Sequence, residues 1–146
     1  MMTMKKIVIC AIAALSFTTI ASCYEKPVTK EQLPAAAQTY ITNNFPSDKV
    51  TLATKDDDLV RPDYEVRLES GIQLEFDHSG ALKKVSSKNG IPADLVPAAI
   101  RTYVATHYPD AGYLEYEVGK RHYEVKLTNH LEFKFNSRFN VIEVDD

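Results

Sequence analysis

Four histidines are the first residues to weigh for metal or acid–base chemistry: His78, His107, His122 and His130. No two of them have the HExxH or H-x3-H spacing that places a pair of metal ligands on one face of a helix. His78 and His130 fall at predicted turns, and His122 falls at the start of a predicted strand. We therefore predict structural or solvated roles for the histidines and no metal site.

The densest acidic cluster is the run 56–58, three aspartates with Asp63 close behind. A calcium loop needs oxygen ligands spaced around a turn that contains a glycine, as in D-x-D-x-D-G. Consecutive aspartates point in different directions, and this run lacks the glycine. The matching segment of the second half of the chain, 119–121, is basic. A solvated loop is therefore the expected structure.

Motifs for covalent catalysis are missing from the sequence, which has no G-x-S-x-G and no glycine-rich phosphate loop. Glu65 and Glu75 can meet across strands, but Arg67 lies among them, which indicates mixed-charge pairing. A carboxylate pair that transfers protons would need a shielded pocket to shift its pKa values. We predict that the chain is not an enzyme, with no catalytic residue and no cofactor.

The first 22 residues have the layout of a secretory signal. Two lysines precede an apolar run at 7–15, and small residues lead to Cys23. Ile20, Ala21, Ser22 and Cys23 resemble the lipobox of bacterial lipoproteins, in which the cysteine is lipidated. The alternative is ordinary cleavage near Ala21. We expect a lipidated Cys23, a tether at 23–28, and a location in the periplasm or at the outer membrane, with membrane contact only through the lipid.

Charge and composition narrow the class of partner. The formal net charge of −3 becomes two units more negative when Lys5 and Lys6 leave with the signal. An acidic surface does not attract nucleic acid. The only other cysteine, Cys10, also lies in the signal, so no disulfide is expected.

An internal repeat is the strongest pattern in the chain. Residues 33–46 (LPAAAQTYITNNFP) match 96–109 (VPAAIRTYVATHYP), and residues 64–85 match 123–144 without a gap. The second match has a smaller offset, so the second copy is shorter between its helix and its YEV strand. We predict a single domain, 29–146, made of repeats 29–85 and 91–146 with a polar linker between them.

Hydrophobic periodicity predicts a helix and about four antiparallel strands in each repeat. Apolar residues recur at helical spacing in 37–45 and 100–108, after Pro34 and Pro97 as candidate first helical residues. Strands alternate from Tyr64 and Tyr123 onward, with a two-residue turn at 70–71, and weaker strands are expected at 50–55 and 113–118. The expected fold is α+β, with two helices on one face of an antiparallel sheet of up to eight strands.

The other face of that sheet is expected to be polar and open, and it is our candidate binding surface. Its proposed binding residues are Glu65, Arg67, Glu75, Glu124, Lys126, Glu132 and Lys134.

The two helix segments and the two YEV hairpins resemble the PepSY-like, putative beta-lactamase-inhibitor-like family of exported bacterial proteins. The resemblance covers the chain from about Thr29, and it implies a tandem helix-and-sheet fold without a catalytic residue. The chain departs from the inhibitor in having no cysteine pair in its domain. His130 and Phe139 also replace the turn glycines Gly71 and Gly80.

Two functions remain open at this stage. The first is a non-catalytic module that binds another envelope protein, as an inhibitor or modulator of an envelope enzyme. The second is an envelope ligand or ion sensor that uses the acidic loop or the tyrosines Tyr113, Tyr116 and Tyr123.

Overall fold

The structure, a computed structural model, describes residues 25–57 and 60–146. The predicted signal, the lipidation site Cys23 and Asp58 of the acidic run lie outside these residues. Within the described part, no helix is long and apolar enough to cross a membrane.

Two helices and nine strands make up the fold. The helices are α1 (Ala35–Asn44) and α2 (Ala98–His107), each preceded by a 3-10 turn, Lys30–Gln32 and Ala93–Leu95. The strands are β1 (Glu25–Pro27), β2 (Val50–Asp56), β3 (Tyr64–Leu68), β4 (Gln73–Phe76), β5 (Leu82–Ile91), β6 (Tyr113–Val118), β7 (His122–Leu127), β8 (Glu132–Asn136) and β9 (Val141–Asp145). They form one antiparallel sheet in which every strand pairs with its neighbours in sequence.

Prolines set the limits of both helices. Pro34 and Pro97 are the N-cap residues, so each helix begins one residue later than we predicted. Each helix ends before the next proline, because the residue preceding a proline is disfavoured in helical conformation. Thr29 and Gln32 form a capping box at the first 3-10 turn, where the Thr29 amide donates to Gln32 Oε1 at 2.8 Å.

The sheet has one strand more than predicted. Residues 25–27 of the expected tether form β1, which pairs with β2 from Glu25 opposite Asp56 to Pro27 opposite Thr54. The pairing is continued by the Val28 amide, which donates to the Ala53 carbonyl at 2.8 Å. A strand with charged residues followed by proline carries no alternation signal, so sequence periodicity missed it.

The predicted polar linker is also part of the sheet. β5 runs through residues 86–90 to Ile91, and it pairs with β6 from Lys84 opposite Glu117 to Ile91 opposite Tyr113. The register shifts between Ser86 and Ile91, which breaks the alternation that a sequence reading relies on. Because β5 of the first repeat pairs with β6 of the second, the two repeats share one sheet.

The hairpin loop between β3 and β4 has three residues, 69–71, rather than the two that we predicted. The Leu68 amide donates a hydrogen bond to the Ile72 carbonyl, and the Gly71 amide donates one to the Leu68 carbonyl. This is a turn closed by a residue in left-handed conformation, and Gly71 has φ 96°. The same bonds recur around His130 (φ 72°), around Gly80 (φ 88°) and around Phe139 (φ 63°).

The core lies between the helices and one face of the sheet. Tyr40 of α1 packs edge-on against Phe76, and Tyr103 of α2 packs against Phe133 and Phe135. The register of the strands places these phenylalanines on one face of the sheet. The same face carries the fully buried Val66, Leu74, Val85 and Val125. The structure is therefore α+β, with both helices contacting this face.

Candidate binding face

All seven predicted binding residues lie on the face of the sheet that the helices do not contact. Each one alternates along its strand with a buried core residue, as Glu65 and Arg67 do on either side of Val66. The same holds for Glu124 and Lys126, which flank Val125. We call this surface the open face.

Charges on the open face are arranged in cross-strand pairs. Glu75 lies opposite Lys84, and Lys126 lies opposite Glu132 with 3.7 Å between Nζ and Oε1. The Lys134 ammonium lies between two carboxylates, 3.3 Å from Glu124 and 3.1 Å from Glu143. The mixed-charge pairing expected from the sequence is confirmed for Lys126 and Lys134, but not for Glu65, which lies opposite Glu75. These partly exposed pairs fix side-chain positions more than they stabilise the fold.

The half of the open face that belongs to the second repeat is strongly acidic. A shallow depression of about 110 Å³ lies there, lined by charged side chains of β6 to β9. The charged residues are Glu115, Glu117, Glu124, Lys126, Glu132, Lys134, Glu143 and Asp145. Six carboxylates therefore face two ammonium groups, which makes this surface attractive to cationic groups. We call these eight residues the acidic patch.

Two glutamates face other glutamates directly across the strands. Glu65 lies opposite Glu75, and Glu117 lies opposite Glu124. Desolvation raises the pKa of Glu65, and the charges of Glu25 and Glu75 add to that effect. Desolvation likewise raises the pKa of Glu117, assisted by the charge of Glu124. A cation that approached either pair would relieve this repulsion.

Lys84 connects the two halves of the face. It lies on β5, opposite Glu117 on β6, and its ammonium is 2.7 Å from a Glu115 carboxylate oxygen. Desolvation lowers the pKa of Lys84, but the hydrogen bond and charge of Glu115 outweigh it, so the net pKa is raised. Lys84 therefore keeps its charge at the junction of the two repeats.

Sequence reasoning missed Lys84 and four acidic residues of the patch. Glu115 and Glu117 were missed because the register of β6 was uncertain in the sequence, although they alternate with the buried Tyr116. Glu143 and Asp145 were missed because a bulge shifts the pairing of β9 next to Lys134. A bulge adds one residue to a strand and so hides the two-residue period.

The tyrosines considered as ligand residues lie in the core or stack on other aromatic rings. Tyr113 and Tyr116 are core residues, with 6% and 5% of their surface exposed, so they do not form the ligand surface considered above. Tyr123 is stacked between Tyr116 and Phe139. Asp57 is paired with Lys26 at 2.8 Å, which accounts for one member of the acidic loop.

Histidine side chains are dispersed rather than gathered. His107 stacks on Tyr103 at the end of α2, and His122 lies 3.7 Å from Glu124. Among residues 25–57 and 60–146, no three His, Cys, Asp or Glu side chains are placed to hold a metal ion together.

Comparison with solved structures identifies exported proteins of the same fold. The chain is 45% identical to a putative periplasmic protein from Bacteroides vulgatus, covering 84% of this chain and 97% of the other, with a TM-score of 0.79. It is 41% identical to a putative calcium-regulated periplasmic protein from Bacteroides thetaiotaomicron, with coverage of 84% and 97% and a TM-score of 0.80. A second Bacteroides vulgatus protein, a putative periplasmic protein of unknown function, is 29% identical, with coverage of 84% and 99% and a TM-score of 0.78.

None of the curated proteins compared with this chain matches it. The family model described as "putative beta-lactamase-inhibitor-like, PepSY-like" matches twice, at residues 19–84 and 62–143. The first match covers the first repeat, and the second runs from within the first repeat through most of the second, so the two matches overlap at 62–84. The family agrees with the resemblance that the helix and hairpin motifs carry. The chain therefore belongs to the PepSY-like, putative beta-lactamase-inhibitor-like family.

Proposed function

We propose that the chain is an exported, non-catalytic module that binds another envelope protein through its open face. Its relatives are described as periplasmic, and residues 1–22 have the layout of a secretory signal. A lipid anchor at Cys23 belongs to the same proposal. It would hold the module at a membrane surface, where an envelope enzyme could be the protein that it inhibits or modulates.

The observation that carries this proposal is the continuous open face with its side chains held in cross-strand pairs. Depressions on this face are small, about 110 and 70 Å³, whereas small-molecule sites usually have 300 Å³ or more. A broad and shallow charged surface suits another protein better than a small ligand. The acidic patch points to a partner with a basic surface, since complementary charge raises the association rate and sets the orientation.

Site-specific photo-cross-linking tests the surface. A cross-linker in place of Glu124 on the open face should capture one partner from envelope extract in a saturable way. The same cross-linker in place of the exposed Thr102 on α2 should capture nothing comparable. Equal capture from both positions, or capture that does not saturate, would count against binding through the open face.

Charge reversal tests the role of the acidic patch once the partner has been captured. Replacing both opposed glutamates (Glu117→Lys with Glu124→Lys) should weaken binding by about tenfold or more, because like charges across an interface are costly. The control is Glu31→Lys, the same chemical change at an exposed residue of the first 3-10 turn. Unchanged affinity in the double variant would remove the acidic patch from the proposal.

An ion sensor is the second candidate, because a relative is described as calcium-regulated and the acidic patch contains six carboxylates. Calcium prefers carboxylate oxygens. As arranged in the described residues, however, the carboxylates do not converge on one point, and Lys126 and Lys134 lie among them. The residues therefore do not form a calcium site as they stand.

A melting experiment separates the two candidates. A ligand that binds the folded state raises the melting temperature. A rise with calcium that is absent with magnesium at equal ionic strength, and is lost in Glu117→Gln, would favour the sensor. If the melting temperature does not rise specifically with calcium, the sensor is excluded and only the protein-binding proposal is kept.

A further inference from the structure

β9 forms one end of the sheet, and within the described part of the chain no strand pairs with its outer edge. An unpaired edge exposes the backbone N–H and C=O groups of alternate residues, which can accept a further strand. The opposite end of the sheet is β1, which has three residues and ends at Pro27. A short strand with a proline is a poor partner for a further strand. Of the two edges of the sheet, β9 is therefore the better one for strand addition.

The internal repeat shows what a strand at this edge would look like. β9 matches β5 without a gap in sequence, and both strands carry a bulge at the same point, next to Phe76 in one repeat and Phe135 in the other. In the first repeat, β6 pairs with the outer edge of β5. The outer edge of β9 is the matching edge of the second repeat, and there the place of β6 is not filled by any described residue.

Burial of matching side chains shows what the second repeat lacks. Val85 of β5 lies opposite Tyr116 of β6 and is 0% exposed. Its counterpart Val144 lies on the same core face, opposite Phe133 of β8, yet it is 51% exposed. An apolar side chain that is covered in one repeat and half exposed in the other marks the position where an apolar residue of an added strand would pack.

Charge then identifies the chemistry of that strand. On the open face, Lys84 of β5 lies opposite Glu117 and forms an ion pair with Glu115 at 2.7 Å. The residue of β9 that matches Lys84 is Glu143, and the one that matches Ser86 is Asp145. The charge is therefore reversed at the first of these positions and changes from neutral to negative at the second. A strand that pairs with β9 as β6 pairs with β5 needs basic residues where β6 has glutamates.

We propose that the outer edge of β9 accepts an antiparallel strand from another protein, in which a basic, an apolar and a basic residue follow one another. The apolar residue packs beside Val144 on the core face. The two basic residues reach Glu143 and Asp145 on the open face. This site shares Glu143 and Asp145 with the acidic patch, but pairing through the backbone edge of β9 does not depend on the proposed contact through the open face.

A second copy of this chain is a poor occupant of the same edge. Pairing β9 with another β9 would bring Glu143 and Asp145 close to their own copies, and like charges facing each other across strands are destabilising. The chain's own edge-pairing strand, β6, carries Glu115 and Glu117 and has the wrong sign. A single five-residue strand also buries less surface than a stable protein interface, so weak and reversible binding is expected.

Synthetic peptides based on the sequence of β6 test the proposal with the full mature chain. The probe is YLKYKV, which is the β6 sequence with Lys in place of both glutamates, and the matched control is the β6 sequence itself, YLEYEV. A third peptide, KKYLYV, has the composition of the probe without its alternation. We expect the probe to bind about tenfold more tightly than either control. It should also slow hydrogen exchange at the backbone amides of β9.

A charge swap on the protein locates the site. Glu143→Lys should remove the preference for YLKYKV, because each peptide then meets one like and one opposite charge at positions 143 and 145. Glu117→Lys makes the same change three strands away from the edge, and it should leave the preference for YLKYKV in place.

Three results would overturn the proposal. The first is that YLKYKV does not bind. The second is that KKYLYV binds equally tightly, or that YLKYKV binds without protecting the β9 amides; either result would indicate general attraction to the acidic patch. The third is dimerisation of the chain alone with protection of β9, which would make a second copy the occupant. The cross-linking test at Glu124 is unaffected by any of them, so this inference and the proposed function fail separately.

Discussion

At the scale of single residues, two matching tyrosines have different surroundings. Tyr40 and Tyr103 occupy the same position in α1 and α2, but the Tyr40 hydroxyl is buried and has no hydrogen-bond partner among the described residues. Burial also raises the pKa of Tyr40 to about 12. The ring is useful to the core through its contact with Phe76, whereas the hydroxyl opposes folding.

Replacing only that hydroxyl should stabilise the protein. Tyr40→Phe keeps the ring and removes a buried unpaired polar group, so the free energy of unfolding should rise by about 1 kcal/mol. Urea denaturation measures the change. Tyr103→Phe is the control, and it should have little effect. A loss of stability in Tyr40→Phe would show that the hydroxyl has a partner, such as a buried water molecule.

Glu117 should make stability depend on pH in a defined direction. Its pKa is raised in the folded state, mainly by desolvation, so the folded state binds a proton more readily than the unfolded state does. The ionised carboxylate therefore lowers stability at neutral pH, and this cost disappears as the pH falls through the raised pKa towards 4.5 and below.

The corresponding variant is Glu117→Gln, which should raise the free energy of unfolding at neutral pH and lose that advantage near pH 4. Urea denaturation at the two pH values provides the comparison. Glu132→Gln, at a side chain with 56% exposure on the same face, is the matched control. An equal gain at both pH values would mean that packing, rather than ionisation, causes the effect.

At the scale of the elements, the hairpin loops show how one backbone shape tolerates different side chains. The three-residue loops after β3, β4, β7 and β8 each end in a residue with positive φ, which is Gly71 and Gly80 in the first repeat and His130 and Phe139 in the second. Gly80 has an additional reason to be glycine, because a Cβ there would lie 2.8 Å from the Ala37 amide nitrogen. Phe139 instead stacks on Tyr123, with ring centres 5.0 Å apart.

Exchanging residues between matching loops tests the cost of that backbone shape. His130→Gly should stabilise the protein by about 0.5–1 kcal/mol, because glycine adopts positive φ without a Cβ clash but loses more entropy on folding. Gly71→Ala should destabilise it by about 1 kcal/mol, since open space surrounds this position and only the backbone conformation is affected. Thermal unfolding measures both. Shifts of the same sign would contradict this account of the loops.

Most elements could be predicted from the sequence, because the signals for them are local. The helix limits follow from prolines, and the strands of each YEV hairpin follow from two-residue alternation. The predictions were wrong where a local signal was interrupted. The bulge within 86–91 made a strand look like a linker, and the charged residues of β1 made a strand look like a tether.

At the scale of the whole molecule, the two repeats share one sheet and one core. Pairing of β5 with β6 crosses the repeat boundary, and the core contains buried residues from both helices, such as Ile41 and Ile100. A single repeat would leave Val85 without Tyr116 and would have a core too small for independent stability. The whole chain should therefore unfold in one cooperative transition.

Cutting the chain at the repeat boundary tests this. A fragment of residues 25–91 should show no cooperative thermal transition by circular dichroism. Mixing it with a fragment of residues 92–146 should restore one. A sharp transition in the first fragment alone would show that the repeats are independent domains.

The sequence by itself determined the duplication, the helices, the faces of the hairpin strands and the seven charged residues predicted on the open face. Each of these depends on residues that are close together in the chain, so periodicity and turn chemistry are sufficient. Only the tertiary structure decided that the repeats join through β5 and β6, that Glu117 faces Glu124, and that β9 has an uncovered edge. These features depend on the register between distant strands, which bulges shift by one residue, and a shift of one residue moves a side chain to the other face.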